Sequence, residues 1–365
     1  MDNVAVSLRE TKPHLAERDG YNAELSVLRV LDAAANRAGE GLRAVEDFVR
    51  FVLDDRHLTR QCKQLRHDLT AAVAQIPHEH RLAARQTQAD VGTALDTPSE
   101  HCRATPDDVL VANLTRLQEA LRTLEEFGKL LDPKMAAEIK QLRYRSYTLQ
   151  RAVEITRSSC ERLDGARLYV LIDGRASVEE FERLARSLIE AGVHVLQLRD
   201  KRLDDRQLLQ RGRLLRELTG GSGTLFVVND RPDLAALCHA DGVHVGQEEL
   251  SVKDARTIVG PDALVGVSTH TIEQARQAVV DGANYIGVGP TFPSGTKQFD
   301  AFPGLDLLRA VAAEIRLPAF AIGGIGPENL PEVLATGVTR VAVSGAILVS
   351  ANPGVTAQQL LSALT

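Results

Sequence analysis

A short apolar run, Tyr285–Val288, is followed by a polar loop that ends at Lys297. The run is typical of a buried strand, whereas the prolines and glycines after it exclude continued strand or helix. Ser294, Gly295 and Thr296 offer hydroxyls and backbone N–H groups to an anion. Lys297 adds a positive charge, but the loop lacks the spacing of a Walker P-loop. We therefore interpret it either as a phosphate-binding loop or as a solvated turn.

A second group of polar residues follows three earlier apolar runs. Gln197, Arg199 and Lys201 alternate along the chain, so in extended backbone their side chains project to one side. Two cations and an amide on one face suit a phosphate-rich substrate. Asp230 and Glu249 follow the next two runs, and two carboxylates together with phosphate oxygens are typical of a Mg²⁺ site. The alternatives are a rim lysine at Lys201 and a helix N-cap at Asp230.

Glycine-rich turns follow the last two apolar runs. Gly323 and Gly324 come after one run, and Ser344 and Gly345 come after the other. Backbone N–H groups in such turns can approach a phosphate closely, as in the phosphate sites of barrel enzymes. The sequence therefore predicts two anion sites, one for a monophosphate around the last three strands and one with cations and Mg²⁺ around strands two to four. His244, on the fourth run, is interpreted either as a core histidine or as a catalytic one.

These residues have to be positioned by the segment from Ala166 onward, where short β-branched runs alternate with amphipathic helical patterns. Eight such units in about 200 residues are typical of a (β/α)₈ TIM barrel, whose active site lies at the carboxyl ends of its strands. An open doubly wound sheet would have fewer strands and a G-x-G-x-x-G turn, which is missing. The predicted strands are Leu168–Ile172, His194–Leu198, Leu225–Val228, Val243–Val245, Leu264–Val267, Tyr285–Val288, Ala319–Ile322 and Val341–Val343.

The first half of the chain has a different organisation. Residues 1–22 are predicted to be poorly ordered, residues 23–157 to form an all-α domain, residues 158–165 to form a linker and residues 166–365 to form the barrel. Ala33–Leu53 aligns with Ala112–Asp132 at a constant offset, which indicates an internal duplication. Arginines and glutamates alternate three residues apart in both copies. We interpret them as a solvated or interhelical salt network, or else as a charged binding pocket.

Composition narrows the class of partner. A net charge of −6, few aromatics and no tryptophan argue against a nucleic acid or an anionic membrane surface. The four cysteines form no C-x-x-C pair, and neither a signal peptide nor an apolar run of about 18 residues is present. The sequence thus predicts a cytoplasmic protein that acts on small molecules.

Taken in order, the motifs of the second half resemble those of thiamin phosphate synthase. They are Gln197-Leu-Arg-Asp-Lys201, Val228-Asn-Asp230, Gly242-Val-His-Val-Gly-Gln-Glu-Glu249, Gly266-Val-Ser268, Gly287-Val-Gly-Pro-Thr-Phe-Pro-Ser-Gly-Thr-Lys297, Ile322-Gly-Gly-Ile325 and Val343-Ser-Gly-Ala346. The resemblance implies a transferase that joins hydroxymethylpyrimidine diphosphate to thiazole monophosphate and releases pyrophosphate by a Mg²⁺-assisted, dissociative substitution.

The resemblance also implies a role for each matching residue. The pyrimidine diphosphate would be held by Gln197, Leu198, Arg199, Asp200, Lys201, Asn229, Ser268 and Lys297. The thiazole phosphate would be held by Ser294, Gly295, Thr296, Gly323, Gly324, Ser344 and Gly345. The catalytic residues among these would be Arg199, Lys201, Ser268 and Lys297. Asp230 and Glu249 would ligate Mg²⁺, although members of the family often have Asp where Glu249 stands.

Two alternatives share this barrel, a thiazole tautomerase and a non-catalytic barrel that senses thiazole phosphate. Neither would need Lys201, Asp230, Glu249 and Lys297 together. The helical half resembles the extension found ahead of the barrel in some bacterial members. That extension has been suggested to be a hydroxymethylpyrimidine phosphate kinase, and a structural or dimerising module in a homo-oligomer is the alternative.

Overall fold

The computed structural model describes residues 11–86, 102–293 and 303–364, with side chains in the first helix from Glu24 onward. It divides into two compact units, one of Met1–Asp54 with Leu58–Gln150 and one of Asp55–His57 with Arg151–Thr365. The predicted loop residues Ser294, Gly295, Thr296 and Lys297 lie outside the described residues. None of the described helices combines the length and hydrophobicity needed to cross a membrane.

The first unit is helical. It contains α1 (Thr11–Phe51), α2 (Arg56–Val73), α3 (His78–Ala84), α4 (Pro106–Gly128) and the first part of α5 (Pro133–Arg162). Helix α4 begins at a capping box, in which the Thr105 side chain accepts from the Asp108 backbone N–H and the Asp108 carboxylate accepts from the Thr105 backbone N–H. Helices α1 and α4, which carry the two copies of the duplicated segment, pack along each other.

Small and apolar residues make the α1–α4 contact possible. Leu42 and Val45 on α1, and Leu117 and Leu121 on α4, are almost completely buried. A Cβ added to Gly41 would lie 3.0 Å from the Asn113 carbonyl oxygen, so the glycine allows the two backbones to approach closely. The helical pattern read from the sequence therefore corresponds to the buried faces of a packed pair.

The helical segments differ from the sequence prediction at both ends. Helix α1 already begins at Thr11, inside the segment 1–22 that was expected to be poorly ordered. Helix α5 continues to Arg162, so the first five residues of the expected linker 158–165 are helical. The linker composition, with two serines and a cysteine, does not stop the helix because none of these residues breaks helical hydrogen bonding.

The second unit is a closed barrel of eight parallel strands, which confirms the predicted fold. The strands are β1 (Leu168–Ile172), β2 (Val195–Leu198), β3 (Leu225–Asn229), β4 (Gly242–Val245), β5 (Leu264–Thr269), β6 (Tyr285–Val288), β7 (Ala319–Ile322) and β8 (Val341–Val343). The helices around them are α6 (Val178–Glu190), α7 (Asp205–Thr219), α8 (Pro232–Leu237), α9 (Val252–Val259), α10 (Ile272–Asp281), α11 (Gly304–Glu314), α12 (Leu330–Leu334), α13 (Gly345–Leu348) and α14 (Pro353–Ala363).

Side chains from alternate strand positions fill the barrel interior. The buried cluster inside the barrel is mainly apolar and includes Val195, Val227 and Leu264. The rings of Tyr169, Tyr285 and Phe320 belong to the same cluster and pack together, with centroids 5.3 to 5.9 Å apart. The interior is therefore filled by packed side chains and is a core, not an open pore.

Candidate active site at the carboxyl ends of the strands

A cavity of about 280 Å³ lies where β2 and β3 end. Lys201, Asn229 and Asp230 line its polar side, and apolar side chains that include Leu198 and Val228 line the other. Both Leu198 and Gln197 are buried, but they point to opposite faces of β2, as neighbouring residues of a strand do. Leu198 lines the cavity, whereas Gln197 faces the barrel interior. Of the β2 and β3 residues predicted to hold a diphosphate, the cavity brings together Leu198, Asp200, Lys201 and Asn229, whereas Gln197 and Arg199 are not among its lining residues.

Asp230 is the half-buried carboxylate of this cavity. Its backbone is left-handed, with φ of 61°, a conformation that Asp and Asn tolerate better than other residues with a side chain. Burial, and next the nearby Glu249 carboxylate, raise the pKa of Asp230, while Lys201 and Arg199 oppose that rise. The Lys201 Nζ lies 4.0 Å from Asp230 Oδ2. Asp230 therefore stands between a like charge and a cation, a setting that favours a further bound cation.

The donor set fits a hard divalent cation. A Cβ at Gly246 would overlap the Glu249 carboxylate, so the glycine lets this side chain fold back over the β4 turn. Within the described ranges no group of three or more His, Cys, Asp or Glu side chains could hold a metal. Two carboxylates alone leave positions for water and phosphate oxygens, which is how Mg²⁺ is usually held beside a phosphorylated substrate.

Asp200 has a different setting from its neighbours. Its carboxylate accepts hydrogen bonds from the Gly174 backbone N–H at 3.1 Å and from the Arg202 backbone N–H at 2.8 Å. The Arg202 guanidinium also bonds to it and reaches Asp173 at 3.1 Å. These bonds, with the Arg202 side chain first, hold the pKa of Asp200 down to about 2. In this structure Asp200 ties the β1–α6 loop to the end of β2, and its predicted contact with substrate stays a prediction.

A chain of hydrogen bonds crosses the barrel interior beneath its mouth, which is the opening at the carboxyl ends of the strands. The Gln197 Nε2 donates to Tyr169 Oη at 2.8 Å, and the two tyrosine hydroxyls are 3.1 Å apart. Tyr285 Oη is 3.3 Å from His244 Nδ1, and His244 Nε2 is 3.0 Å from Ser268 Oγ. Gln197 and Ser268, both predicted to be site residues, thus stand at the two ends of one polar chain.

The middle of this chain was missed by the sequence reasoning. Tyr285 was read only as part of an apolar strand, and Tyr169 was not singled out. The available signal was their position, since both occupy strand positions that face the interior, where a hydroxyl needs a partner. His244 is a bonded member of the chain, and burial, with the charge of Arg199 second, lowers its pKa to about 4. It is neutral at physiological pH.

The turns after β7 and β8 carry the described residues of the other predicted anion site. Gly323 and Gly324 have φ of 103° and 64°, and a Cβ on either would lie within 3.0 Å of the β6 turn at Pro290 or Phe292. Glycine is needed here because the two turns touch. The Ser344 hydroxyl donates to the Leu171 carbonyl at 3.1 Å, which joins the end of β8 to β1.

A closed parallel barrel with glycine turns after its seventh strand is typical of TIM-barrel enzymes that bind phosphate. The family model described as thiamine monophosphate synthase matches residues 168–347, and the ThiD2 family model matches residues 29–152. The thiamine-phosphate synthase of Rhodopirellula baltica is 46% identical over 89% of this chain and 90% of its own. The chain belongs to the thiamine-phosphate synthase family.

Two further proteins support this assignment. The thiamine-phosphate synthase of Gloeobacter violaceus is 43% identical over 93% of this chain and 98% of its own length, so the similarity includes the helical half. Among solved structures, the thiamine phosphate pyrophosphorylase of Pyrococcus furiosus is 34% identical, with a TM-score of 0.50, and covers 55% of this chain and 95% of its own.

Proposed function

We propose that the barrel joins 4-amino-2-methyl-5-(diphosphooxymethyl)pyrimidine to 4-methyl-5-(2-phosphooxyethyl)thiazole, giving thiamin phosphate and pyrophosphate. The observation that carries this proposal is the cavity at the ends of β2 and β3, where Lys201, Asn229 and Asp230 converge. Arg199 lies close enough to influence the pKa values of both Asp230 and His244. A diphosphate is the substrate group that matches this mixture of cations, amide and metal-binding carboxylate.

One bond breaks and one bond forms at the methylene carbon of the pyrimidine. The bond from that carbon to the diphosphate oxygen breaks, and both electrons leave with the pyrophosphate. The thiazole nitrogen then donates its lone pair to the same carbon, so no proton transfer is needed in the bond exchange. The protein must stabilise charge on the departing group and hold the two rings together, and it needs no strong base or nucleophile.

The predicted site residues would divide these tasks. Arg199, Lys201 and Lys297 stabilise the negative charge that grows on the leaving pyrophosphate. Asp230 and Glu249 would hold Mg²⁺, which would supply a Lewis acid for the leaving pyrophosphate. His244 and the tyrosines behind it are neutral, so they place no positive charge against the cationic pyrimidine that forms as the diphosphate leaves. The turns at Gly323–Gly324 and Ser344–Gly345, with Ser294, Gly295 and Thr296, hold the thiazole phosphate.

The test is an assay of the full chain with both substrates and Mg²⁺. Thiamin phosphate and pyrophosphate should appear in equal amounts, and EDTA should stop the reaction until Mg²⁺ is added back. Conversion of the thiazole substrate to its tautomer without thiamin phosphate would favour the isomerase alternative. Binding of thiazole phosphate with no turnover of either kind would favour a sensor.

For the helical unit, the resemblance to the extension found ahead of the barrel suggests phosphorylation of hydroxymethylpyrimidine phosphate, the reaction that would supply the barrel with its diphosphate. The ThiD2 family model matches this part of the chain, residues 29–152. The unit would then feed the transferase from the same chain. The assay is repeated with the pyrimidine monophosphate and ATP in place of the diphosphate. Thiamin phosphate formed from the monophosphate only when ATP is present supports the kinase. Product from the diphosphate, but none from the monophosphate with ATP, supports a structural or dimerising module.

A further inference from the structure

The hydrogen-bond chain from Gln197 to Ser268 has a defined direction. An amide nitrogen can only donate, so the Tyr169 oxygen accepts from Gln197 Nε2 and its single proton is left for Tyr285. The Tyr285 proton is in turn left for His244 Nδ1. Each tyrosine hydroxyl has only one proton to donate, so the first donor determines the direction of every later hydrogen bond in the chain.

The direction of the chain also determines which ring nitrogen of His244 is protonated and which way the Ser268 hydroxyl can donate. Because Nδ1 accepts, the neutral imidazole carries its proton on Nε2 and donates it to Ser268 Oγ at 3.0 Å. Ser268 is partly exposed and its own proton remains available to a molecule at the mouth. At the other end, Gln197 Oε1 is buried and has no hydrogen-bond partner among the residues that the structure describes.

The reverse direction is less favourable. It would turn the Gln197 amide over, so that its oxygen accepted from Tyr169 and its NH₂ group was left buried without an acceptor. Buried N–H groups without a partner are rarer in proteins than carbonyl oxygens with spare capacity. The observed direction leaves an acceptor at one end of the chain and a donor at the other.

We propose that Tyr169 and Tyr285 are positioning residues that set this direction, so that the site offers an acceptor at Gln197 Oε1 and a donor at Ser268 Oγ to the pyrimidine. The identity of that ligand rests on the proposed function, whereas the direction of the chain does not. An aminopyrimidine has the complementary pattern, since its amino group donates and its ring nitrogens accept. A 4-oxo analogue lacks the amino donor and should be bound less well.

The direction is read from the histidine tautomer. In protein labelled with ¹⁵N-histidine, His244 should show a protonated Nε2 and an unprotonated Nδ1 at neutral pH without any ligand, with His244→Asn identifying its signals. Tyr285→Phe removes the bond to Nδ1 and should give a mixture of tautomers. Phe320→Leu is the matched control, because Phe320 packs against both tyrosine rings but has no polar atom. It should leave the tautomer unchanged.

Kinetics provide the second readout. Tyr169→Phe and Tyr285→Phe should each raise KM for the pyrimidine diphosphate by about tenfold, the loss expected for one mispositioned hydrogen bond, and leave KM for the thiazole phosphate within about twofold. Tyr169→Phe should also reduce the preference for the amino over the 4-oxo substrate. Phe320→Leu should preserve that preference.

Two results would overturn the proposal. A wild-type His244 protonated on Nδ1 means that the chain runs the other way, and this measurement stands even if a tyrosine variant does not fold. Folded Tyr→Phe variants with unchanged tautomer and unchanged KM mean that the tyrosines only fill space. A wild-type protein that makes no thiamin phosphate would instead contradict the proposed function, while the tautomer measurement keeps its meaning.

Discussion

The ring of Tyr285 on β6 occupies the space that a side chain at Gly266 on β5 would fill. A Cβ added to Gly266 would overlap the ring carbons and the hydroxyl of Tyr285. One strand further, a Cβ at Gly287 would lie 3.3 Å from His244 Cε1. The absence of side chains at these two interior positions makes room for the aromatic and imidazole rings of the hydrogen-bond chain. The glycines of two motifs are therefore part of the architecture of the site.

Gly266→Ala should destabilise the barrel. The tyrosine ring is held by Phe320 and by hydrogen bonds on both sides, so it cannot move away without loss. Overpacking of this kind costs about 1–3 kcal/mol. Urea denaturation measures the loss of unfolding free energy. Gly223→Ala is the control, because nothing lies within 4 Å of a Cβ at Gly223. Equal stability of the two variants would show that the ring has room to shift.

Asp200→Asn should lower stability at pH 7 by about 2 kcal/mol, the equivalent of the depression of its pKa from 3.8 to about 2. The unfolded chain binds the proton more readily than the folded one between those two values, so stability from Asp200 is full above about pH 4 and is lost as pH falls toward 2. The variant should lack this part of the acid dependence. Chemical denaturation at pH 7 and at pH 3 compares the two proteins, and a gap that is the same at both pH values would contradict the assignment.

Asp230→Asn should separate function from stability. Burial and the Glu249 carboxylate raise the pKa of Asp230, so the folded protein binds a proton more tightly than the unfolded one and the ionised group costs stability as pH rises. Asparagine tolerates the left-handed backbone and removes that cost. In EDTA the variant should melt at a higher temperature than wild type at pH 7, by a margin that shrinks as pH is lowered.

The same Asp230→Asn variant should bind Mg²⁺ more weakly and lose about a hundredfold or more in turnover, because a neutral amide replaces a charged ligand. Glu248→Gln is the control, since Glu248 is an exposed neighbour of Glu249 that is not assigned to the metal. Turnover is titrated against Mg²⁺ concentration for each protein. A variant that is as active as wild type at low Mg²⁺ would exclude Asp230 from the metal site.

Periodic features of the fold, such as the strands, were predictable from the sequence, whereas contacts between distant strands were not. Strand positions were predictable because buried parallel strands are continuous apolar runs, and Tyr285–Val288 and Val341–Val343 have the predicted bounds. Grouping of Lys201 and Asp230 was predictable because all strands of a barrel end on one side. The tyrosine chain was not predictable from spacing, since Tyr169 and Tyr285 lie on strands that are not neighbours and meet only across the interior.

The contacts of the Asp200 side chain also differ from those that its motif suggests. It stands between two residues whose positions predict substrate binding, and its side chain points instead to the β1–α6 loop. Alternation along an extended strand predicts this opposite direction, but the motif as a whole suggests one shared role. The helical boundaries were missed for a related reason, because packing rather than local composition decides where a helix such as α5 ends.

Lys201→Ala should reduce catalysis without reducing stability. The side chain is 68% exposed and its contact with Asp230 is long, so its loss should change the free energy of unfolding by less than about 0.5 kcal/mol. Loss of a charge beside the leaving pyrophosphate should lower kcat/KM for the diphosphate by about a hundredfold. Lys253→Ala, an exposed lysine on α9, is the matched control. Similar kcat/KM values for the two variants would make Lys201 a rim lysine.

In the helical unit, the alternating charges of the duplicated segment contribute to the core. Glu46 pairs with Arg66 of α2 at 3.0 Å, and Glu125 pairs with Arg143 of α5 at 2.8 Å, so the interhelical alternative is observed in both copies. The Glu125 side chain is 4% exposed and that of Arg143 is 11% exposed. Breaking such a buried pair by removing one partner costs about 3–5 kcal/mol, because the remaining charge is left without compensation.

Glu125→Gln should therefore lower the free energy of unfolding of the helical unit by about 3 kcal/mol. Glu182→Gln on α6 is the matched control, since its pair with Arg186 is solvent-exposed and a pair of that kind contributes at most about 0.5 kcal/mol. Hydrogen exchange followed by mass spectrometry locates the effect, because protection should fall in α4 and α5 and stay unchanged in the barrel strands. Loss of protection in the barrel as well would show that the two units unfold together, and no loss anywhere would mean that the pair contributes little to stability.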